Sequence, residues 1–436
     1  MSKNSTRMSV AVAGLAAAAL AVSGCSSDSS SGDGGTTGDG NQVLTVLHKW
    51  PEGAHAEYFE KIIADFEAET GITVEATAVQ DDPYKERIRV LTGSNSLPDV
   101  FFVWPGAFGE QFFDAGLVED LTEPMSDGWA DSLVAPAIDA YTHDGKIYAV
   151  PVSMSGKFFT YNTAMFADAG IEVPQTYDDL IQACEAFQAE GITPISMGNN
   201  AMWPGVHYLT TLIGKYVPQD EMLKDFDPAT ATFTDPGYVK AIETLTELAD
   251  KCFTPGANGI SNDSAKAEIQ TGVVPMYYGE SNIFSMFRES NGATAEVAAD
   301  WDFFAFPDIE GAAGDQDSLT GAPDGFVINS KSENKEAAEK FLRYITTKES
   351  GALLLEMRDR PSAVIGAEEG VADVLPQLER ALTVLDETDT FNIWLDTATD
   401  PQVGAAWLAA GQAAIDGSVS PEDIIASVKA ASDSVK

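Results

Sequence analysis

The chain has 436 residues and carries 25 Lys and Arg against 68 Asp and Glu, a formal net charge of −43. Such an excess argues against binding nucleic acid or anionic lipid through general electrostatics. The length exceeds what one hydrophobic core usually serves, so two or more domains are expected.

The first predicted element is a leader, residues 1–24. Lys3 and Arg7 make a short basic opening, and residues 10–22 form a small apolar run too short to span a bilayer as a helix. The run ends in Val22-Ser23-Gly24-Cys25, similar to the bacterial lipobox, in which the cysteine is lipidated and becomes the mature N-terminus. The alternative is an ordinary small-residue cleavage site with an incidental Cys25. Loss of the leader removes Lys3 and Arg7 and no acid, which takes the net charge to −45. Residues 25–42, rich in Ser, Gly and Asp, have almost nothing to bury and read as a flexible tether. Lipid, tether and globular body together describe a protein held at the outer face of a membrane.

The body opens on a strand at 43–47. Phe59, Ile62, Ile63 and Phe66 then fall at helical spacing, and Gly71 ends that helix. A strand at 72–79, a helix at 84–93 and an almost wholly apolar strand at 98–104 follow. This β-α-β-α-β alternation predicts a largely parallel sheet flanked by helices. Residues 107–122 read as a short helix and turn, and 144–162 as two strands split by Pro151. "TYDDLIQACEAFQAEG" reads as a helix with Thr176 as N-cap and Asp179 as capping-box partner. Next come a strand "ITPISM", a helix at 238–252, strands "VVPMYYG" and "WDFFAFP", a long helix or helix pair at 334–357, and a final amphipathic helix.

Three of the seven tryptophans precede proline: Trp50-Pro51, Trp104-Pro105 and Trp203-Pro204. In this reading each lies at or just past the carboxyl end of a strand, where open α/β sheets bind ligands. A residue before proline is driven toward extended geometry, so each indole sits on a stiff loop that does not continue into the next helix. Flat rings on preformed loops suit the C–H faces of sugars, and sugar hydroxyls require polar partners nearby. The candidates are Lys49 and Glu52 beside Trp50, Asn199 before Trp203, Tyr278, Glu280 and Asn282 in "YYGESN", Asp324, and Trp394 with Asp396. The bland alternative makes the indoles core plugs and the carboxylates solvated surface. Cys184 and Cys252 remain once Cys25 is set aside, either as one disulfide or as two buried thiols.

The order of segments resembles the extracellular solute-binding proteins of carbohydrate ABC transporters, the group that includes maltose-binding protein. The pieces carrying the resemblance are the lipobox, "FEKIIADFEAETGITVEA", "LPDVFFVWPG", "AGLVEDLT", "GKIYAVPVSMSGKFFTYNTAMFADAGI", "PQTYDDLIQACEAFQAEGITPISMG", "GVVPMYYGES", "FPDIEG", "DGFVINSKSENKEAAEKFLRYITTKE" and "GSVSPEDIIASV". The resemblance implies an α/β fold of the periplasmic-binding-protein type II, with two lobes, a hinge of several crossings and a ligand cleft between. It places lobe one at 43–152 plus 307–360 and lobe two at 153–306 plus 361–436. It implies that Trp50, Glu52, Trp104, Trp203 and residues 278–282 line the cleft. It further implies a monomer that takes a sugar or oligosaccharide, uses no cofactor, and passes its ligand to the transmembrane subunits of a permease. The loop "HKWPEG" has its own composition, so no relative's sugar contacts transfer to it.

Two rivals are weaker. A secreted glycoside hydrolase would also pair carboxylates with aromatic rings, and Glu52, Glu280, Asp324 and Asp396 are available for it. Nothing in the sequence fixes any pair at catalytic separation. A metal carrier has little to work with: His48 and His55 do not match a zinc spacing, and "GDQDSLTGAPDG" lacks the full EF-hand pattern. A binding protein for a non-sugar solute remains the other alternative.

Overall fold

The computed structural model describes residues 43–51 and 53–436. The leader, the tether, Cys25 and Glu52 lie outside the described residues. Ten strands follow in chain order: β1 (Val43–His48), β2 (Thr73–Ala78), β3 (Val100–Val103), β4 (Thr142–His143), β5 (Lys146–Ile147), β6 (Val150–Asn162), β7 (Met276–Glu280), β8 (Trp301–Phe304), β9 (Leu319–Ile328) and β10 (Phe391–Asn392). The main sheet runs β2-β1-β3-β9-β6-β7, with β10 beside β9 and β8 beside β6. Helices cover it, which places the fold in the mixed α/β class.

The first hundred residues form the parallel unit that their alternation predicts: β1 pairs in parallel with both β2 and β3. All four residues of β3 are fully buried, as an apolar strand covered on both faces should be. The helix Gly53–Thr70 turns Phe59, Ile62 and Phe66 inward, and Gly71 at φ +73° stops it in a conformation glycine adopts without steric cost. The expectation of a largely parallel sheet fails beyond β3. There β9 runs antiparallel to β3, and β6 runs antiparallel to β9, β7 and β8.

Pro151 does not split its segment. β6 is one strand of 13 residues, and the missing N–H falls where the register with β9 shifts, between Pro151 and Ser153. The stretch 192–197 is not a strand. Only Ile195 bridges, to Phe253 on one side and Met276 on the other, because Pro194 beside it offers no donor. The segment 334–357 resolves into two helices, Lys335–Ile345 and Lys348–Arg358. Thr347 caps the second by accepting a bond from Ser350 N. The Thr176 and Asp179 capping box is formed at the start of Tyr177–Ala189.

β6 is the element on which the site depends. Its first half, residues 150–156, pairs with β9; its second half, 157–162, pairs with β7 and β8. Gly156 and Gly321 face each other at that exchange. A Cβ on Gly321 would come within 2.3 Å of Ser155 O, so the two backbones close up only without side chains. One buried core gathers β1, β3 and the helices over them, and extends to Phe158, Phe284, Trp301 and Leu385. A second gathers Phe159, Tyr208, Leu212, Ile242 and Trp407. Within the second, a buried disulfide joins Cys184 to Cys252 and closes a separation of 68 residues, which restricts the unfolded chain.

Candidate functional site

A cavity of about 640 Å³ opens where β6 changes partners. It has the size of a small-ligand site. Lys49, Trp50, Trp104, Trp203, Glu280, Asn282, Asp324, Trp394 and Asp396 all line it, so nine of the twelve sequence candidates come together. Glu52 lies outside the described residues. Asn199 and Tyr278 are not on the wall. Asn199 is fully buried and holds backbone: its Oδ1 accepts from Gly205 N at 2.8 Å and its Nδ2 donates to Asn258 Oδ1 at 2.6 Å. Tyr278 points into the second core against Phe159 and Tyr208, with its hydroxyl 2.7 Å from Thr211 Oγ1. Its strand neighbour Tyr277 lines the cavity instead, as alternation along a strand allows.

The tryptophans are set by three different local structures. Trp50 follows β1 by two residues, and its N–H donates to Nδ1 of the buried His48 at 3.3 Å. Its indole stacks on Phe59 at 5.1 Å, which anchors one side of it in the core. Trp104 directly follows β3 and stands edge-on to Phe102, at 4.7 Å. Trp203 departs from the expected stiff loop, because it opens the helix Trp203–Tyr216. Pro204 is tolerated in that first turn, where the N–H it lacks would have no helical partner. The tight entry falls on Met202, at φ +65°. Trp394 immediately precedes the short helix Leu395–Ala398 and stacks on His207 at 4.0 Å, while Trp203 meets the same imidazole tilted, at 4.9 Å.

Sequence reasoning missed most of the cations. Lys85, Lys157, Lys266, Arg358 and Arg360 line the cavity beside Lys49, and His207 joins them. Asp324 organises two. Its Oδ1 lies 2.8 Å from Lys49 Nζ, and its Oδ2 pairs with Arg360 and accepts from Ser153 Oγ at 3.3 Å. Burial alone would raise this carboxyl; the two cations outweigh that and hold it below the usual carboxylate range. Lys85 Nζ lies 2.8 Å from Asp396 Oδ2, and the other oxygen, Oδ1, is buried with no hydrogen-bond partner among the described residues. Glu280 Oε2 accepts from Asn282 Nδ2 at 2.6 Å and Ser155 Oγ at 3.3 Å.

Lys157 is the first residue of β6 beyond the exchange point. Its side chain is buried, and its Nζ stands 5.5 Å from the Trp203 ring, 5.6 Å from Tyr278 and 5.9 Å from Trp394. Burial lowers its ammonium to about 8, against the opposing pull of Glu280. His207 is held well below its ordinary value, first by burial and then by the charges of Lys157, Lys85 and Lys49, so its ring is neutral, and its Nδ1 has no hydrogen-bond partner among the described residues. Lys157 and Arg360 lie in buried segments, "SGKFF" and "RDRPS", where a cation interrupts apolar or helix-ending sequence. A charge inside such a stretch is the signal that was available.

The sequence profile of the bacterial extracellular solute-binding proteins matches residues 52–352. Among curated proteins the chain is similar to the Multiple sugar-binding protein of Streptococcus mutans, 26% identical over 77% of this chain and 78% of that one. It is also similar to the Alpha-glucosides-binding periplasmic protein AglE of Rhizobium meliloti, 23% identical over 91% of this chain and 88% of that one. Among solved structures, one from work on xylan utilization by Caldanaerobius polysaccharolyticus superposes with a TM-score of 0.82 at 22% identity, over 89% of this chain and 99% of that one. A chitin oligosaccharide binding protein gives 0.81 at 23%, over 91% and 99%. These likenesses establish the type II solute-binding fold. With the profile spanning well over half of its length, this chain belongs to the bacterial extracellular solute-binding proteins.

Proposed function

We propose that the protein captures a sugar or oligosaccharide in this cavity and delivers it to the membrane permease of an ABC importer. The observation that carries the reading is the wall itself. Trp203, His207 and Trp394 make successive ring contacts along one part of it, and the carboxylates of Asp396, Glu280 and Asp324 stand on the same wall. Rings supply area to the C–H faces of a sugar, and polar side chains on the wall supply orientation to its hydroxyls. The curated relatives above are named for multiple sugars and for alpha-glucosides, which supports the same class.

The proposal extends to the lobes, 43–152 with 307–360 and 153–306 with 361–436, closing on ligand that touches both. It extends to Cys25 as a lipid anchor on the outer face of the bacterial membrane, with 25–42 as tether, and to a monomer working with the permease's transmembrane subunits. Asp324 is a poor general acid for a glycosidase, which needs a carboxyl kept protonated, because the cations beside it hold it ionised.

Calorimetry across mono- and oligosaccharides tests the reading, and silence from every sugar would overturn the class. Shorter products after incubation would overturn binding without turnover. Once a ligand is in hand, Trp203→Ala is expected to weaken it by about 1–2 kcal/mol, the scale of an aromatic anchor, with the fold intact by circular dichroism. Unchanged affinity would make that indole structural.

A further inference from the structure

The chain is strongly acidic, yet its cavity is not. Six of its 25 Lys and Arg line this one cavity, against three of its 68 Asp and Glu among the described residues. A surface drawn at random from this composition would be negative. The reversal is local, and it has a centre.

That centre is Lys157. Two comparable lysines have oxygen partners: the half-buried Lys49 meets Asp324 at 2.8 Å, and the buried Lys215 bonds Gln316 O and lies 3.7 Å from Asp308. Lys157 has no ion pair and no hydrogen bond among the described residues. Glu280, opposite it in the β6–β7 register, is instead engaged by Asn282 and Ser155. Three aromatic rings surround the ammonium without neutralising it. Lys49 and Lys85 line the same cavity, but each is held by an aspartate, Asp324 and Asp396, at 2.8 Å. Burying a charge without a partner is costly, and a neutral hydroxyl could be met by an amide at far lower cost.

Resting on the sugar-binding reading, we propose that the ligand is an acidic saccharide whose anionic group, a uronate carboxylate or a sulfate ester, pairs with Lys157 beside the Trp203–His207–Trp394 face. The rings hold the sugar body, and the ammonium selects the acid. The surplus of cations over carboxylates along the cavity wall lowers the cost of admitting an anion into a −43 protein.

The test is calorimetry on the full chain with matched pairs: xylotriose with and without a glucuronosyl branch, galactotriose against trigalacturonate, and chitotriose against its 6-sulfated form. At least one acidic member is expected to bind tenfold or more tighter than its neutral partner, and the pair that responds identifies carboxylate or sulfate. That affinity should weaken several-fold between 0.05 and 0.5 M NaCl. In Lys157→Met the ratio of acidic to neutral affinity should fall to about one, and Lys157→Arg should keep the preference. Neutral sugars binding as tightly as acidic ones overturn this inference and leave sugar capture standing. A preference that survives Lys157→Met overturns the assignment to Lys157. Should no saccharide of either kind bind, the sugar reading itself falls. The wild-type salt dependence decides the question even if the Met variant fails to fold.

Discussion

Asp324→Asn is expected to destabilise the ligand-free protein by about 3–5 kcal/mol, the scale of breaking a buried ion pair from one side. Asp324 sits in β9 opposite Ser153 of β6, one residue before the stretch that pairs with β3, and its side chain is 9% exposed. Its two oxygens gather Lys49 from the loop after β1, Ser153 from β6 and Arg360 from beyond the helix Lys348–Arg358. An amide keeps the shape and removes the charge that those two cations share. The same variant should alter pH dependence. The folded Asp324 carboxyl is held below its unfolded value, so its contribution is present at neutral pH and is lost as pH falls through the folded value. Urea titrations of both proteins measure the difference, and a loss under about 1 kcal/mol would show that the three segments hold together without the carboxylate. Asp396→Asn is the internal comparison. Its partner Lys85 is 39% exposed, so water compensates and the expected loss is smaller.

The Asp324 cluster also shows where sequence reading reaches its limit. The apolar run of β3 and the indole after it were legible because both signals are local: a strand buried on two faces reads as unbroken hydrophobics, and the residue at its carboxyl end meets the crevice. The capping box at Thr176 was legible for the same reason. The charged half of the site was not. Lys85 and Asp396 are 311 residues apart, Ser153 and Arg360 are 207 apart, and no periodicity links such pairs. A lone lysine is a surface residue by base expectation, and Lys157 departs from it only because β6 carries its neighbours through the middle of the sheet. Asn199 and Trp203 were read as parts of one loop after a strand. Pro194 removes that strand, and the helix beginning at Trp203 recruits Asn199 to hold Gly205 N.

Lys157→Met should move stability and function in opposite directions. Burial lowers the Lys157 ammonium from 10.5 to about 8, which corresponds to roughly 3 kcal/mol paid by the ligand-free fold to keep the charge. Methionine has a similar unbranched shape and fills the same gap between Trp203, Tyr278 and Trp394 without it. The variant is therefore expected to be more stable than wild type by up to about that amount at neutral pH. The sign follows from linkage. Below the folded value both states of the wild-type protein carry the proton and the full cost is present. Between about 8 and 10.5 the unfolded chain binds more protons, so wild-type stability rises with pH and the advantage of the variant shrinks toward zero. Glu280, Lys266 and His207 face the same ammonium, so stability curves of both proteins across that window, taken as a difference, isolate the lysine from its neighbours. A variant less stable than wild type at pH 7 would make Lys157 a structural pin held by its three rings. A stabilised variant that has lost its acidic ligand would show that the fold tolerates this charge for the sake of what it binds.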